Sequence, residues 1–119
     1  MTRTEVLDKF CKDAGHMAVD RRILEDLLDE VDGLICEKIL KNYEGFDGDV
    51  QWGDPNRQML VDRPFDRLYY HWLNAQVALR HEEGKRYENA YILFNQAMDD
   101  FAGFYHRHHM PKNPGTWKF

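Results

Sequence analysis

The chain of 119 residues has no serine, only two cysteines and no excess of basic side chains. The missing serine removes the commonest hydroxyl nucleophile. The glycine-bearing stretch GFDGDVQWGDPN at 45–56 lacks the lysine and hydroxyl residue of a phosphate-cradling loop. Cys11 and Cys36 stand in predicted helices without CxxC spacing, a usage that fits a reducing compartment. No apolar run approaches the roughly 20 residues that span a bilayer, and MTRTEVLDKF lacks the apolar centre of a signal peptide. A soluble protein made in the cytoplasm, with no membrane partner, is the expectation.

The formal net charge of −5 argues against a phosphate-binding surface, because nucleic-acid binding generally shows as a basic face. No sequence-specific nucleic-acid partner is expected. The charge is uneven: residues 1–60 carry eight basic and fourteen acidic side chains, residues 61–119 eight and seven. After Asp100 no carboxylate side chain occurs, while Arg107, Lys112 and Lys118 are joined by His106, His108 and His109. That basic segment could meet an acidic surface.

What is abundant is aromatic and aliphatic surface at helical spacing. Thr2 to Glu5 fits a capping box opening a helix near 3–14, with Val6, Leu7, Phe10 and Cys11 on its apolar side and Gly15 as its terminator. Asp20 caps a second helix near 20–43, where Ile23, Leu24, Leu27, Leu28, Val31, Leu34, Ile35, Ile39 and Leu40 share a face. Gly33 interrupts it, marking either a close contact or a weak point. Residues 44–61 carry three glycines and a proline without helical period, so they read as a loop, with room for a short strand or hairpin. A loop of this length in a small domain is mobile or committed to a contact. Phe46, Trp52 and Met59 favour commitment.

Asp62 and Pro64 then open a helix near 63–83, which Gly84 ends, and a last helix follows near 86–109. Tyr87, Tyr91, Phe94, Met98, Phe101 and Tyr105 recur in steps of four and three, predicting a continuous seam along that last helix. Pro111 and Pro114 stop it, and 110–119 reads as an extended tail. The fold class is therefore all-α in a single domain, 1–119: an N-terminal helix pair and a long antiparallel aromatic hairpin. Its core is expected from Leu24, Leu27, Leu28, Val31, Ile35, Leu68, Trp72, Val77, Tyr91, Phe94, Met98 and Phe101.

The histidines invite a metal reading, since His106 and His109 are three apart on a helix. Third and fourth ligands are not evident, and histidine near a helix C-terminus is favourable through the dipole alone. Glu44, Asp47, Asp49 and Asp54 lack the alternation of a calcium loop and read as a charged turn. Glu82 and Glu83 beside His81 read as a polar helix end. The aromatic seam could stack bases, yet the same spacing is what a helical core requires. No metal, cofactor or catalytic residues are expected.

The segment LYYHWLNAQVALRHEEGKRYENAYILFNQAMDDFAGFYHRHHMP resembles a helical hairpin of small proteins from tailed bacteriophages and from prophages of Gram-positive bacteria. The likeness rests on Tyr69, Trp72, Leu73 and Ala75, then Glu83, Tyr87 and Asn89, then Phe94, Asn95 and Ala97. Phe104, Tyr105, Arg107, His109, Met110 and Pro111 close it. The N-terminal half is similar to head-to-tail connector, or adaptor, proteins of such phages, where a short helix, a turn and an aspartate open a long amphipathic helix. Glu5 to Ala14, Gly15 and Asp20 occupy those places here. The resemblance implies a non-enzymatic virion protein forming a homo-oligomeric ring against portal and tail or neck proteins. Phe46, Trp52, Met59, His106, His109, Lys112, Trp117 and Phe119 are the expected interaction residues. The histidine-rich end departs from the adaptor pattern and leaves a tail-region or neck position open. The alternative is a small regulatory or inhibitor protein that binds a host factor through the hairpin, and a third is a histidine-dependent metal protein or enzyme.

Overall fold

A computed structural model describes residues 1–14, 19–46, 48, 50–54 and 56–110. Four α-helices occur among them: α1 (Arg3–Ala14), α2 (Arg21–Lys38), α3 (Arg67–Arg80) and α4 (Gly84–His108), with a 3-10 turn at Leu40–Asn42. The all-α architecture agrees with the apolar periodicity. Both predicted N-terminal signals are formed. The Glu5 amide donates to Thr2 Oγ1 at 3.2 Å while the Thr2 amide donates to Glu5 Oε1 at 3.4 Å, and the Arg22 amide donates to the Asp20 carboxylate at 2.9 Å. Gly15, read as the terminator of α1, lies outside the described residues.

α3 is the central helix. It packs against α1, α2 and α4, whereas α4 packs on α3 and on neither of the first two helices. Leu68, Tyr69, Leu73, Ala75, Val77 and Ala78 of α3 are fully enclosed. A helix covered on several sides has apolar residues around much of its circumference, so its stripe is less regular than that of a surface helix. Val6, Leu7 and Phe10 of α1 and Leu24, Leu28, Val31 and Ile35 of α2 complete the main core. Trp72 spans two helices: its indole N–H donates to the Leu27 carbonyl of α2 at 2.8 Å, and its ring lies 5.1 Å from Phe94 of α4.

The α4 seam differs from the expected one. Ala90, Phe94, Ala97 and Phe101 are buried, Met98 and Tyr105 pack at the core's edge, and Tyr91 is 37% exposed. A pattern drawn through large side chains overlooks alanine, which buries easily where two helices meet. Tyr91 therefore does not belong to the core; its ring lies along its own helix in tilted contacts with Tyr87 and Phe94.

Boundaries shift for local reasons. The predicted 20–43 helix ends at Lys38, where the Asn42 side chain takes the Lys38 carbonyl and the chain tightens into the 3-10 turn. The predicted 63–83 helix starts at Arg67, because residues 62–66 are wound in tight turns that bring Val61 and Phe65 to the core. Gly84 opens α4 instead of ending α3. The reversal falls on Glu82, at φ 56°, with the Glu83 amide on the Ala78 carbonyl at 2.9 Å and the Glu82 amide on Leu79 at 3.2 Å. This is a Schellman cap with glutamate at the left-handed position.

Two glycine exchanges follow from this geometry, in opposite directions. No atom lies within 4 Å of a Cβ built on Gly33, so Gly33→Ala gains about 1 kcal/mol of helix propensity, roughly 4 °C in Tm. Glu82→Gly relieves the left-handed backbone and gains about 0.5–1 kcal/mol net of the entropy glycine loses on folding. Thermal melts of both variants measure these shifts; a lower Tm for either contradicts the assignment.

Candidate functional site

The loop between α2 and α3 has little regular structure, yet it is firmly tied. The Arg3 amide donates to the Arg57 carbonyl at 3.0 Å and the Met59 amide to the Met1 carbonyl at 2.9 Å, making an isolated antiparallel bridge between Thr2 and Gln58. No strand extends it among the described residues. The side chains do more. Arg57, only 3% exposed, reaches under the loop and donates from Nη1 to Asp32 at 2.8 Å and from Nη2 to Asp29 at 2.7 Å. Asp32 is fully enclosed and also accepts from the Tyr69 hydroxyl at 2.6 Å and the Leu60 amide at 3.3 Å. Tyr69 Oη in turn accepts from the Val61 amide at 2.9 Å. On the outer side Arg3 bonds Asp29 at 2.9 Å and lies 3.8 Å from Glu25.

Burial raises the Asp32 pKa above the ordinary carboxylate value, against the hydrogen bonds from Tyr69 and Arg57 that lower it. Burial also carries the Tyr69 phenol well above its usual range, and the Asp32 charge adds to this. Burial disfavours the charged form of Arg57, but its hydrogen bonds to Asp29 and Asp32 more than compensate, so its pKa is raised. These groups are closed to a substrate, with Asp32 and Tyr69 both fully enclosed. The arrangement can order a loop and hold a proton on Tyr69.

Of the expected interaction residues, Trp52 is the one the loop presents outward. It is 40% exposed, with the Arg57 guanidinium 4.8 Å from its ring. Phe46 packs against the core and Met59 is inside it, 4% exposed. Met59 therefore anchors the loop from within. Lys112, Trp117 and Phe119 lie outside the described residues, as do Asp47 and Asp49 of the acidic turn.

His106 and His109 converge on Tyr43. Tyr43 Oη lies 3.0 Å from His106 Nδ1, and His109 Nδ1 lies 3.0 Å from the Tyr105 carbonyl while its ring stacks on Tyr105 at 3.6 Å. Tyr43 meets Tyr105 edge-on at 5.1 Å. Burial raises the pKa of both phenols. His108 faces Phe104 instead, at 4.5 Å. Among the described residues no three histidine, cysteine or acidic side chains are placed to share a metal. The pair of histidines fastens the end of α4 to the segment after α2, where the Glu44 amide also donates to the Met110 carbonyl at 2.8 Å.

Sequence reasoning missed the Asp32, Arg57 and Tyr69 network. One signal was available: Asp32 lies four residues after Leu28 and three before Ile35, inside the apolar stripe of α2. An aspartate there must find partners or cost several kcal/mol.

Removing Asp32 leaves a buried guanidinium with Asp29 as its one remaining carboxylate beside the Gln58 carbonyl. Asp32→Leu is expected to cost about 3 kcal/mol, the low end for breaking a buried pair, and adding Arg57→Met is expected to restore part of that loss. Tyr69→Phe strands the Val61 amide and a carboxylate oxygen and is expected to cost about 2 kcal/mol. Urea unfolding of the four proteins gives these differences; a double variant less stable than Asp32→Leu would contradict the pairing.

No protein-family model, curated protein or solved structure matches the chain.

Proposed function

We propose that this chain is a non-enzymatic structural component of a tailed-phage virion. In this reading it is a head-to-tail connector, or adaptor, forming a homo-oligomeric ring against portal and tail or neck proteins. The observation that carries the reading is the exposure of α4. A helix of 25 residues buries only Ala90, Phe94, Ala97 and Phe101, and leaves Tyr91, Ile92 and Leu93 exposed, with Leu79 exposed in the last turn of α3. Large apolar side chains gathered toward one end of a hairpin favour coverage by another protein over a free surface. Trp52 on the loop adds a second outward aromatic, a residue type enriched in interfaces. The resemblance of the hairpin and of the acidic N-terminal half to phage proteins supplies the class of partner.

Light scattering of the protein alone, then mixed with the products of its neighbouring genes, tests the reading. A monomer or small oligomer that becomes a defined ring with portal or neck proteins is the expected result. Truncation after Met110 should keep the helix signal and weaken that assembly. A monomer indifferent to every virion protein that binds a single other partner one-to-one would replace the connector with a regulatory binder.

A further inference from the structure

The outward face of α4 is symmetric about its middle in everything but the sign of its charge. Positions 85, 89, 92, 96 and 99 recur in steps of four and three on the side away from Ala90, Phe94, Ala97 and Phe101. All five are exposed. Lys85 and Arg86 stand at one end of this face and Asp99 and Asp100 at the other, with the amides of Asn89 and Gln96 between them. The centre is apolar: Ile92 is 55% exposed and Leu93 46%. The midpoint of the two cations and the two carboxylates falls between Ile92 and Leu93.

A surface that meets its own copy across a two-fold axis needs this order, because residue i then faces residue j while j faces i. Two copies of α4 laid antiparallel about the point between Ile92 and Leu93 set each Ile92 against Leu93 of the other copy. Asn89 then faces Gln96. Lys85 faces Asp100 and Arg86 faces Asp99, about 10 Å to either side of the axis at the rise of a helix. The apolar centre is closed over by amides and held at both ends by opposite charges.

Other arrangements of the same face lose these pairings. Parallel copies bring like charges together at 85, 86, 99 and 100, which is destabilising. Sliding an antiparallel copy by one turn takes Ile92 off Leu93 and sets Leu93 against Gln96 or Glu88. The charges are also available. Lys85 and Asp99 make no ion pair with any described residue. Arg86 pairs with Glu83 at 3.1 Å and Asp100 with Arg67 at 3.2 Å, both in exposed positions where such a pair is worth about 1 kcal/mol or less and yields readily.

We propose that α4 pairs antiparallel with α4 of a second copy of this chain, about a two-fold axis between Ile92 and Leu93. Lys85 and Arg86 of each copy lie against Asp99 and Asp100 of the other. The pairing closes at two copies, so it is not the contact of a ring. It shares with the connector reading the exposure of α4 and nothing else.

Sedimentation equilibrium of the full chain over a concentration series tests the pairing. The wild type should pass from monomer to dimer and stop there, with added salt weakening the dimer. The double variant Lys85→Glu with Arg86→Glu has carboxylates at both ends of the face, and Asp99→Lys with Asp100→Lys has cations at both. Each variant alone should lose about tenfold or more in self-association, while circular dichroism keeps its helix signal. Mixed in equal amounts, the two variants should recover a dimer, since every charged end then meets its opposite. A wild type that stays monomeric throughout, association that runs past two copies, a dimer that either variant leaves intact, or a mixture that does not associate overturns the proposal. A monomeric wild type leaves the connector reading to its own assembly with virion proteins, and a dimer indifferent to those proteins removes that reading and keeps this one.

Discussion

The ion pair between Arg57 and Asp32 is the constraint on which the rest of this structure depends. A charged pair taken out of water is tolerated only when its remaining hydrogen-bonding capacity is met. Here it is met from three segments. Asp32 belongs to α2, Arg57 and the Leu60 amide to the loop, and the Tyr69 hydroxyl to α3. The Arg57 carbonyl then takes the Arg3 amide at the start of α1. Four parts of the chain meet within two side chains, and shifting any of them leaves a buried polar group unpaired. Ordering so long a loop costs about 1–2 kcal/mol per residue in backbone entropy, and the network, with Met59 and Val61 in the core, opposes that cost.

The same constraint shapes the surface. Fixing the loop over α1 and α2 also fixes α3 through Tyr69, so α3 becomes the enclosed centre and α4 is laid on its remaining side. The outward faces are then the flank of α4 with Tyr91 to Leu93, and the loop edge with Trp52. The Tyr43, Tyr105, His106 and His109 cluster joins the far end of α4 back to the chain that leaves α2. The far end of the hairpin's longer arm is thus positioned by aromatic contacts made outside the main helix pairings.

Much of the fold was legible in the sequence because helix periodicity and capping are local. Thr2, Glu5 and Asp20 cap as their types require, and the α2 stripe buries as its spacing requires. Tyr91 was misread because bulk was taken as the mark of burial, when Ala90 and Ala97 face inward. Gly84 was misread because glycine is the usual left-handed residue, while here Glu82 takes that conformation under two backbone hydrogen bonds. The polar network was the least legible part. Asp32 in an apolar stripe announces that a partner exists, but the choice of Arg57, 25 residues on in a loop, is set by tertiary packing. Of the interaction residues that are described, Trp52 combines an outward position with a large apolar surface; Met59 reads alike in sequence and points inward.

Native-state hydrogen exchange separates a pinned loop from a loose one most directly. The amides to follow are those of Met59, Leu60 and Val61, which bond to Met1, Asp32 and Tyr69, compared with Leu28 and Val31 in the middle of α2. If the Asp32 network fixes the loop, all five open only with global unfolding and share one free energy. Exchange of the three loop amides at near free-chain rates, while α2 stays protected, would contradict it.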